Sequence, residues 1–231
     1  MLRLRRYTLL VAPAAKPRTE TKPALRRDAQ RNRERIIDAT RVAFRERGLD
    51  VGVDEIARRA GVGMGTLYRH FPTKDALIDA IVDARFEELI AAADAALEAD
   101  DAWEGFERFL VTAVELQASD RGFKDALAAR GRDEQGVKAA RRRLRAAMAR
   151  LVARGQAERV IRADLDVADL TVLLWGTSGI VERTADTAPG QARRFLAMHL
   201  DGLRASAAGA PPEVPPLSPH QLGRSMARTP R

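Results

Sequence analysis

The sequence predicts an all-α protein of about nine helices. Ala, Leu, Arg and Glu are abundant and favour helices, whereas aromatic residues, which favour strands, make up only 5% of the chain. Apolar residues recur at intervals of three and four positions through most of the 231 residues, and no segment shows a convincing strand alternation. We therefore expect an N-terminal group of three helices followed by a larger helical domain.

Glycine, proline and capping residues mark the ends of the helices in the first part of the chain. Gly48 suits the position after a helix C-terminus, and Pro72 disfavours helix at the residue before it. Thr73 can accept a hydrogen bond from the first turn of the helix that follows. The predicted helices are 28–47, 54–60, 64–70 and a long one that starts after Thr73 and ends before Asp100.

The second part of the chain shows the same periodicity. Gly131 and Gly155 end two of its apolar segments, Asp166 is a good N-cap, and Pro189 opens the final helix. The predicted helices are 103–119, 120–129, 137–155, 167–184 and 190–205.

Charge and proline content divide the chain into four parts. Residues 1–27 contain eight Lys or Arg against one Glu, a net charge of +7, and are expected to form a disordered basic arm. This arm is either functional or an extension from a misassigned start codon. Residues 28–75 and 76–207 are expected to form two helical domains, and the Pro-rich residues 208–231 a disordered tail.

The excess positive charge lies in the N-terminal third. The whole chain carries +8, whereas residues 28–75 carry +2 and residues 76–231 carry −1. This asymmetry indicates either a polyanion-binding end or a basic tail that only aids solubility, and charge alone leaves both open. A second basic run at 141–145 is either a nucleic-acid patch or, as we favour, the solvent-facing side of a helix.

Several classes of function are disfavoured by what the sequence lacks. There are no cysteines, which excludes disulfides and thiolate zinc sites. The three histidines lie far apart, and no nucleophile–base pair, phosphate-binding loop or metal motif is visible. No apolar run approaches the roughly 18 residues of a membrane span. We therefore expect a cytoplasmic protein that is not an enzyme, holds no cofactor or metal and does not bind membranes.

Residues 54–70 predict a helix-turn-helix, with the sequence DEIARRAGVGMGTLYRH. Gly61 permits the positive φ that a tight turn between helices needs, and Ala57 and Ala60 are small enough for the two helices to approach closely. The second helix starts at Gly63 with exposed N–H groups, which suit phosphate contacts. The same spacing occurs in helical hairpins that never touch DNA, so geometry alone leaves both interpretations open.

The run from Arg35 to Leu77 resembles the DNA-binding domain of the TetR family of transcriptional regulators. Three strings and their spacing carry this resemblance: IIDATRVAFRERG, VDEIARRAGVG and GTLYRHFPTKDAL. The later part of the chain resembles the family in its layout of helices. The resemblance implies a homodimer that binds a pseudo-palindromic operator in double-stranded DNA, commonly as a repressor, and that a small-molecule inducer releases.

The resemblance also assigns DNA-contacting roles to eight positions. Gly65 would let the recognition helix lie close to the duplex, and Met64 replaces the Lys or Arg that is common at its position. An apolar contact, such as one with a thymine methyl group, would then replace a phosphate or guanine contact. Gly52 and Gly63 stand where Ser or Thr often caps the two helices. The expected contact residues are Val53, Met64, Gly65, Thr66, Tyr68, Arg69, His70 and Lys74.

Two further sets of residues are predicted in the second domain. One set is either plain core or the lining of a ligand pocket that favours an uncharged molecule: Trp103, Phe106, Leu110, Phe123, Met148, Leu174 and Trp175. As the resemblance implies, helices 167–184 and 190–205 would pair with their mates in a four-helix dimer interface. The candidate interface residues are Leu173, Gly176, Ile180, Phe195, Leu196, His199 and Leu203.

Two rival interpretations remain open. One is a DNA-binding architectural protein that discriminates little between sequences and responds to no ligand. The other is a protein-interaction module whose helical hairpin does not bind DNA.

Overall fold

The structure, a computed structural model, describes residues 22–119 and 135–227. Within these ranges the chain forms nine α-helices, one 3₁₀ turn at Ala205–Ala207, and no strand beyond a single bridge between Ile161 and Arg204. The helices are α1 (Lys22–Arg47), α2 (Val53–Ala60), α3 (Met64–His70), α4 (Lys74–Leu97), α5 (Ala102–Ser119), α6 (Gln135–Ala157), α7 (Val167–Thr184), α8 (Gln191–Leu203) and α9 (Pro219–Ala227).

This architecture confirms the predicted all-α class. α3 has the predicted bounds, and α2 begins one residue earlier than predicted. α1 begins at Lys22, six residues before the prediction and inside the segment expected to be a disordered arm. Pro23 lies in its first turn, where the missing N–H breaks no helical hydrogen bond. The helix predicted at 120–129 lies outside the described residues.

The first hydrophobic core joins the three N-terminal helices to the start of α4. Phe44 of α1, Ile56 of α2 and Leu67 of α3 are buried together. The core continues along α4 to Phe86 and also includes Val137 of α6. The boundary predicted between residues 75 and 76 therefore falls inside α4 and inside one continuous core.

The second core is built from the C-terminal half of α4 and from α5 to α8. Phe106 and Leu110 of α5 are fully buried in it, as are Leu170 of α7 and Leu196 of α8. Burying a large apolar side chain stabilises the fold by about 1.5–3 kcal/mol relative to leaving it exposed. Leu144 packs against both cores, so α6, like α4, runs from one core to the other.

Ion pairs join α4 and α6, which lie side by side. Glu87 pairs with Arg143 and Asp94 pairs with Arg150, so the pairs recur seven residues apart on both helices. Arg154 continues the series by donating to the carbonyl oxygen of Leu97 at 2.7 Å. Because the partners follow the same order along both helices, α4 and α6 are parallel. Arg143, a member of the basic run 141–145, thus forms an ion pair within the protein.

The structure differs from the expectation of a wholly disordered C-terminal tail, because α9 forms within it. Ser218 and Gln221 make reciprocal hydrogen bonds, with the Ser218 N–H donating to the Gln221 side-chain oxygen at 2.9 Å and the Gln221 N–H donating to the Ser218 hydroxyl oxygen at 3.3 Å. Such a capping box satisfies N–H groups at the start of a helix, and Pro219 suits the first helical position. Leu222 is buried, so α9 rests on the rest of the chain.

Candidate nucleic-acid interface

The turn between α2 and α3 has the geometry of a helix-turn-helix. Gly61 ends α2 with φ 62° and ψ 38°, a left-handed conformation that other residues rarely adopt. Its N–H donates to the carbonyl oxygen of Arg58 at 3.1 Å, and the N–H of Val62 donates to the carbonyl oxygen of Ala57 at 3.0 Å. These two bonds form a Schellman motif that directs the chain into α3. Leu67, fully buried, holds α3 against the first core.

Ion pairs between α1 and α2 hold the helix-turn-helix on its support. Glu55 of α2 contacts Arg47 of α1 at 2.5 Å and Arg59 of its own helix at 2.8 Å. Arg59 also contacts Glu46 of α1 at 2.6 Å. The hydrogen bond from Arg59, with the charges of Arg47 and Arg58, lowers the pKa of Glu55 below its usual value. Glu55 therefore stays charged at neutral pH, and the contact between α1 and α2 persists.

One side of α3 faces away from the protein. Tyr68 is 46% exposed, Met64 is 37% exposed, and Arg69 is also exposed. A Cβ placed on Gly63 or Gly65 would meet no heavy atom within 4 Å, and neither glycine has a positive φ. Nothing inside the described part of the protein therefore requires glycine at these positions. A partner that approaches the α3 backbone closely would require it.

Three other predicted contact residues lie at the starts of helices. Val53 is the first residue of α2 and Lys74 the first of α4, and Thr66 lies in the first turn of α3; all three are half-buried. The Thr73 hydroxyl oxygen accepts a hydrogen bond from the N–H of Ala76 at 3.1 Å, which fixes the start of α4. The N–H groups at helix starts favour anions such as phosphate.

His70 differs from the other predicted contact residues. Its Nε2 atom is buried and has no hydrogen-bond partner among the described residues. Desolvation by burial, together with the charges of Arg69 and Arg33, lowers the pKa of the imidazole below its usual value of 6.5. In this conformation Nε2 does not reach the surface, so a contact with DNA would use the other ring nitrogen.

Two arginines of α1 that the sequence reasoning missed contact the helix-turn-helix. Arg35 donates to the carbonyl oxygen of Gly61 at 3.4 Å, and the guanidinium of Arg33 lies 5.4 Å from the centre of the Phe71 ring. The only signal for them in the sequence is positive charge, which they share with eight other Lys or Arg residues between 28 and 75. Charge alone could not single them out.

A groove on the second domain brings together most of the predicted dimer-interface residues. This α7–α8 groove has a volume of about 400 Å³ and an almost wholly apolar lining. Its lining residues are Leu165, Asp169, Leu170, Val172, Leu173, Gly176, Phe195, His199 and Leu203. The rings of Phe195 and His199 lie 3.9 Å apart, centre to centre, and His199 Nδ1 lies 2.8 Å from the Phe195 carbonyl oxygen.

The two remaining predicted interface residues lie outside the lining of this groove. Ile180 of α7 is half-buried. Leu196 of α8 is fully buried in the second core, so its side chain is not available to a partner. On a helix, neighbouring residues point about 100° apart, which turns Leu196 inward while Phe195 faces the groove.

Four of the predicted pocket residues pack together in the second core. Trp103, Phe106, Leu110 and Met148 are all buried, and the ring centres of Trp103 and Phe106 lie 5.8 Å apart. The guanidinium of Arg204 covers the Trp103 ring at 3.9 Å from its centre. All four belong to the same buried cluster, and none of them lines the α7–α8 groove.

The other predicted pocket residues are not buried with these four. Leu174 is half-buried and packs against the second core. Trp175 is 38% exposed on the outer side of α7, and Phe123 lies outside the described residues. Among the described residues, no three His, Cys, Asp or Glu side chains are grouped as they would be around a metal ion. None of the described helices is both long and apolar enough to cross a membrane.

A helix-turn-helix whose second helix has an exposed side, joined to a helical second domain, is typical of DNA-binding transcriptional regulators. Residues 36–81 match the family model of bacterial regulatory proteins of the tetR family. Residues 98–205 match the model of the SbtR-like transcriptional regulator C-terminal domain. The chain belongs to the TetR family of transcriptional regulators, which are not enzymes.

Solved structures and curated relatives agree with this family. A TetR regulatory protein from Mycobacterium vanbaalenii is 38% identical with a TM-score of 0.64, and the match covers 78% of this chain and 99% of that one. The regulator SCO0520 from Streptomyces coelicolor is 32% identical with a TM-score of 0.62, and the match covers 74% and 98%. The regulator SrpR from Pseudomonas putida is 33% identical over 111 residues, which are 48% of this chain. That match spans about half of SrpR, 52% of its length.

Proposed function

We propose that the protein is a homodimeric repressor that binds a pseudo-palindromic operator and is released from it by a small molecule. The main observation in support of a dimer is the exposed apolar surface of α7 and α8. Val172, Trp175 and Met198 expose 44%, 38% and 60% of their surface on these two helices, beside the α7–α8 groove. Exposed apolar side chains on adjacent helices indicate an interface, because monomers rarely leave large contiguous apolar patches in water.

The small residues of α7 support the same interpretation. A Cβ placed on Gly176 or Gly179 would meet no heavy atom within 4 Å, so both positions leave room for a helix of a second copy. A two-fold axis beside α7 and α8 would bury the same surface on both subunits in a four-helix arrangement. Phe195 and His199 would then enter the partner's groove.

Such a dimer would present two copies of α3 to successive major grooves, so the operator should contain two inverted half-sites about one helical turn apart. The exposed face of α3, with Met64, Gly65, Tyr68 and Arg69, would contact the bases and backbone. Val53, Thr66 and Lys74 at the helix starts would contact phosphates. The protein would act in the cytoplasm, where chromosomal DNA lies.

Selection of bound DNA from a random pool tests this proposal directly. We expect an enriched inverted repeat, a dimer in sedimentation, and much weaker binding to a single half-site. Binding without an enriched motif would instead favour an architectural protein. Failure to retain any DNA would favour a protein-interaction module.

We propose an uncharged or weakly polar compound as the inducer, held near Trp103, Phe106, Leu110 and Met148. These side chains are apolar and packed together, so a ligand would enter by separating them, and an unpaired charge there would be costly. A compound present at about 100 times its Kd should stabilise the fold by roughly 2.7 kcal/mol. Screening compounds for a rise in melting temperature, followed by release of the selected operator, tests this part.

A further inference from the structure

A partly buried ionic cluster, the Glu88 cluster of Arg41, Arg85 and Glu88, joins α1 to α4. One carboxylate oxygen of Glu88 accepts a hydrogen bond from Arg41 of α1 at 2.6 Å, and the other accepts one from Arg85 of α4 at 2.9 Å. Arg85 is only 5% exposed. Two guanidinium groups therefore share a single carboxylate between the two helices.

Arg41 depends on Glu88 more than a surface arginine would. Its Nε and Nη2 atoms are buried and have no hydrogen-bond partner in the described part of the chain. Removing the Glu88 charge would take from Arg41, whose side chain is 21% exposed, the carboxylate that it contacts, and breaking a partly buried ion pair in this way is destabilising. Glu88 therefore holds α1 against α4 just beyond Phe86, the last residue of α4 in the first core. Two charge-assisted hydrogen bonds with fixed directions define the separation of the two helices more sharply than an apolar contact, which tolerates sliding.

The cluster lies at the joint between the DNA-binding helices and the rest of the protomer. The ion pairs of Glu55 and Arg59 join α2 to α1, and α4 continues into the second core. Glu88 is 14 residues from the start of α4 at Lys74, which is about 21 Å along the helix axis. A rotation of α1 by about 5° relative to α4 at this level would displace groups about 21 Å away by about 2 Å, whereas one base pair is about 3.4 Å along DNA.

We infer that Glu88 is a positioning residue that fixes the angle of the DNA-binding helices and thereby the half-site spacing that the dimer accepts. This inference rests on the proposed function, because spacing has a meaning only for a dimer on two half-sites. Glu88 itself does not touch DNA. Its role is to exclude operators whose half-sites are slightly too close or too far apart.

The test compares the affinity for two operators in each protein variant. One operator is the inverted repeat selected by the unaltered protein, and the other has one base pair inserted at its centre. We expect the unaltered protein to bind the longer operator at least about tenfold more weakly. The spacing ratio is the affinity for the selected operator divided by the affinity for the longer one. Glu88→Gln, which keeps the size of the side chain but removes its charge, should reduce the spacing ratio to about threefold or less. The ratio is insensitive to partial unfolding, because a smaller folded fraction lowers both apparent affinities equally.

Glu87→Gln is the matched control. Glu87 is the next residue on the same helix, and its partner Arg143 lies in an exposed pair. This variant should keep the ratio of the unaltered protein. If Glu88→Gln keeps it too, or if both variants lose it equally, the inference is overturned.

A second variant covers the case in which Glu88→Gln does not fold. Arg41→Gln removes one of the two hydrogen bonds at a side chain that is 21% exposed, and it should lower the spacing ratio by a smaller factor. A folded Arg41→Gln protein with an unchanged ratio would also overturn the inference. Failure of the proposed function has a different signature, because the unaltered protein would then sediment as a monomer or bind a single half-site as tightly as two.

Discussion

Replacing Gly65 with Ala should separate the stability of α3 from its binding to DNA. The position is helical, its φ is not positive, and the added Cβ would meet no heavy atom within 4 Å. Ala is favoured over Gly inside a helix by 0.5–1 kcal/mol, and we expect about 0.5 kcal/mol in this first turn. A gain of that size raises the melting temperature of a chain of this length by about 1–2 °C.

The same methyl group would stand between the α3 backbone and the duplex. We expect Gly65→Ala to lower the affinity for the selected operator at least about tenfold, equivalent to about 1.4 kcal/mol. Thermal unfolding by circular dichroism and fluorescence anisotropy at fixed salt measure the two effects. Gly223→Ala in α9 is the matched control, since its Cβ also meets nothing within 4 Å, and it should leave DNA binding unchanged. Unaltered operator affinity in Gly65→Ala would refute the close approach of α3 to DNA.

The remaining predictions concern four separate parts of the molecule. Lys74→Ala should weaken binding to all DNA sequences and flatten the log–log salt dependence by about one unit; an unchanged slope would remove Lys74 from the phosphate contacts. Met198→Asp places a charge on the proposed dimer surface and should give a folded monomer in sedimentation, whereas a persisting dimer would locate the interface elsewhere. Arg159 has φ 59°, a left-handed conformation that is strained for any residue except Gly, so Arg159→Gly should raise the free energy of unfolding, measured in urea, by about 1 kcal/mol. A lower free energy of unfolding would mean that the Arg159 side chain stabilises the fold by more than the strain costs. Burial lowers the pKa of His70, so the unfolded state binds its proton more readily than the folded state, and the free energy of unfolding should fall as pH drops below about 6.5. His70→Gln should remove that part of the fall. If the variant and the unaltered protein show the same dependence of unfolding free energy on pH, the lowered pKa is contradicted.

Local signals were sufficient to predict the helix-turn-helix. The positive φ of Gly61, the bounds of α3 and the burial of Leu67 each depend on a few neighbouring residues. The exposure of Tyr68, beside buried Leu67, follows from the helical period alone. Even the missed α9 had a local signal, because Ser218 and Gln221 stand at capping-box spacing.

The two sides of α8 could not be separated from the sequence. Ala192, Leu196 and Leu200 are buried in the second core, while Phe195 and His199 line the α7–α8 groove. Both stripes contain large apolar or aromatic side chains at spacings of four residues, so periodicity identifies the helix without showing which stripe faces inward. The choice depends on the position of α5 and α7, which only the folded chain supplies. For the same reason, the sequence predicts Leu196 at the interface, although its side chain faces the second core. On α7 the same ambiguity predicts Trp175 in the pocket, although it is 38% exposed.

The ion pairs between α4 and α6 show how the first and second cores are connected. Arg143 pairs with Glu87, which is 56 residues away, and no short-range pattern connects the two positions. Once α4 and α6 lie parallel, that pair and the Arg150–Asp94 pair come into register together. Both helices then pass from the first core into the second, so a displacement of one helix relative to the other must disturb both cores. The two cores are therefore connected by two parallel helices rather than by a flexible linker.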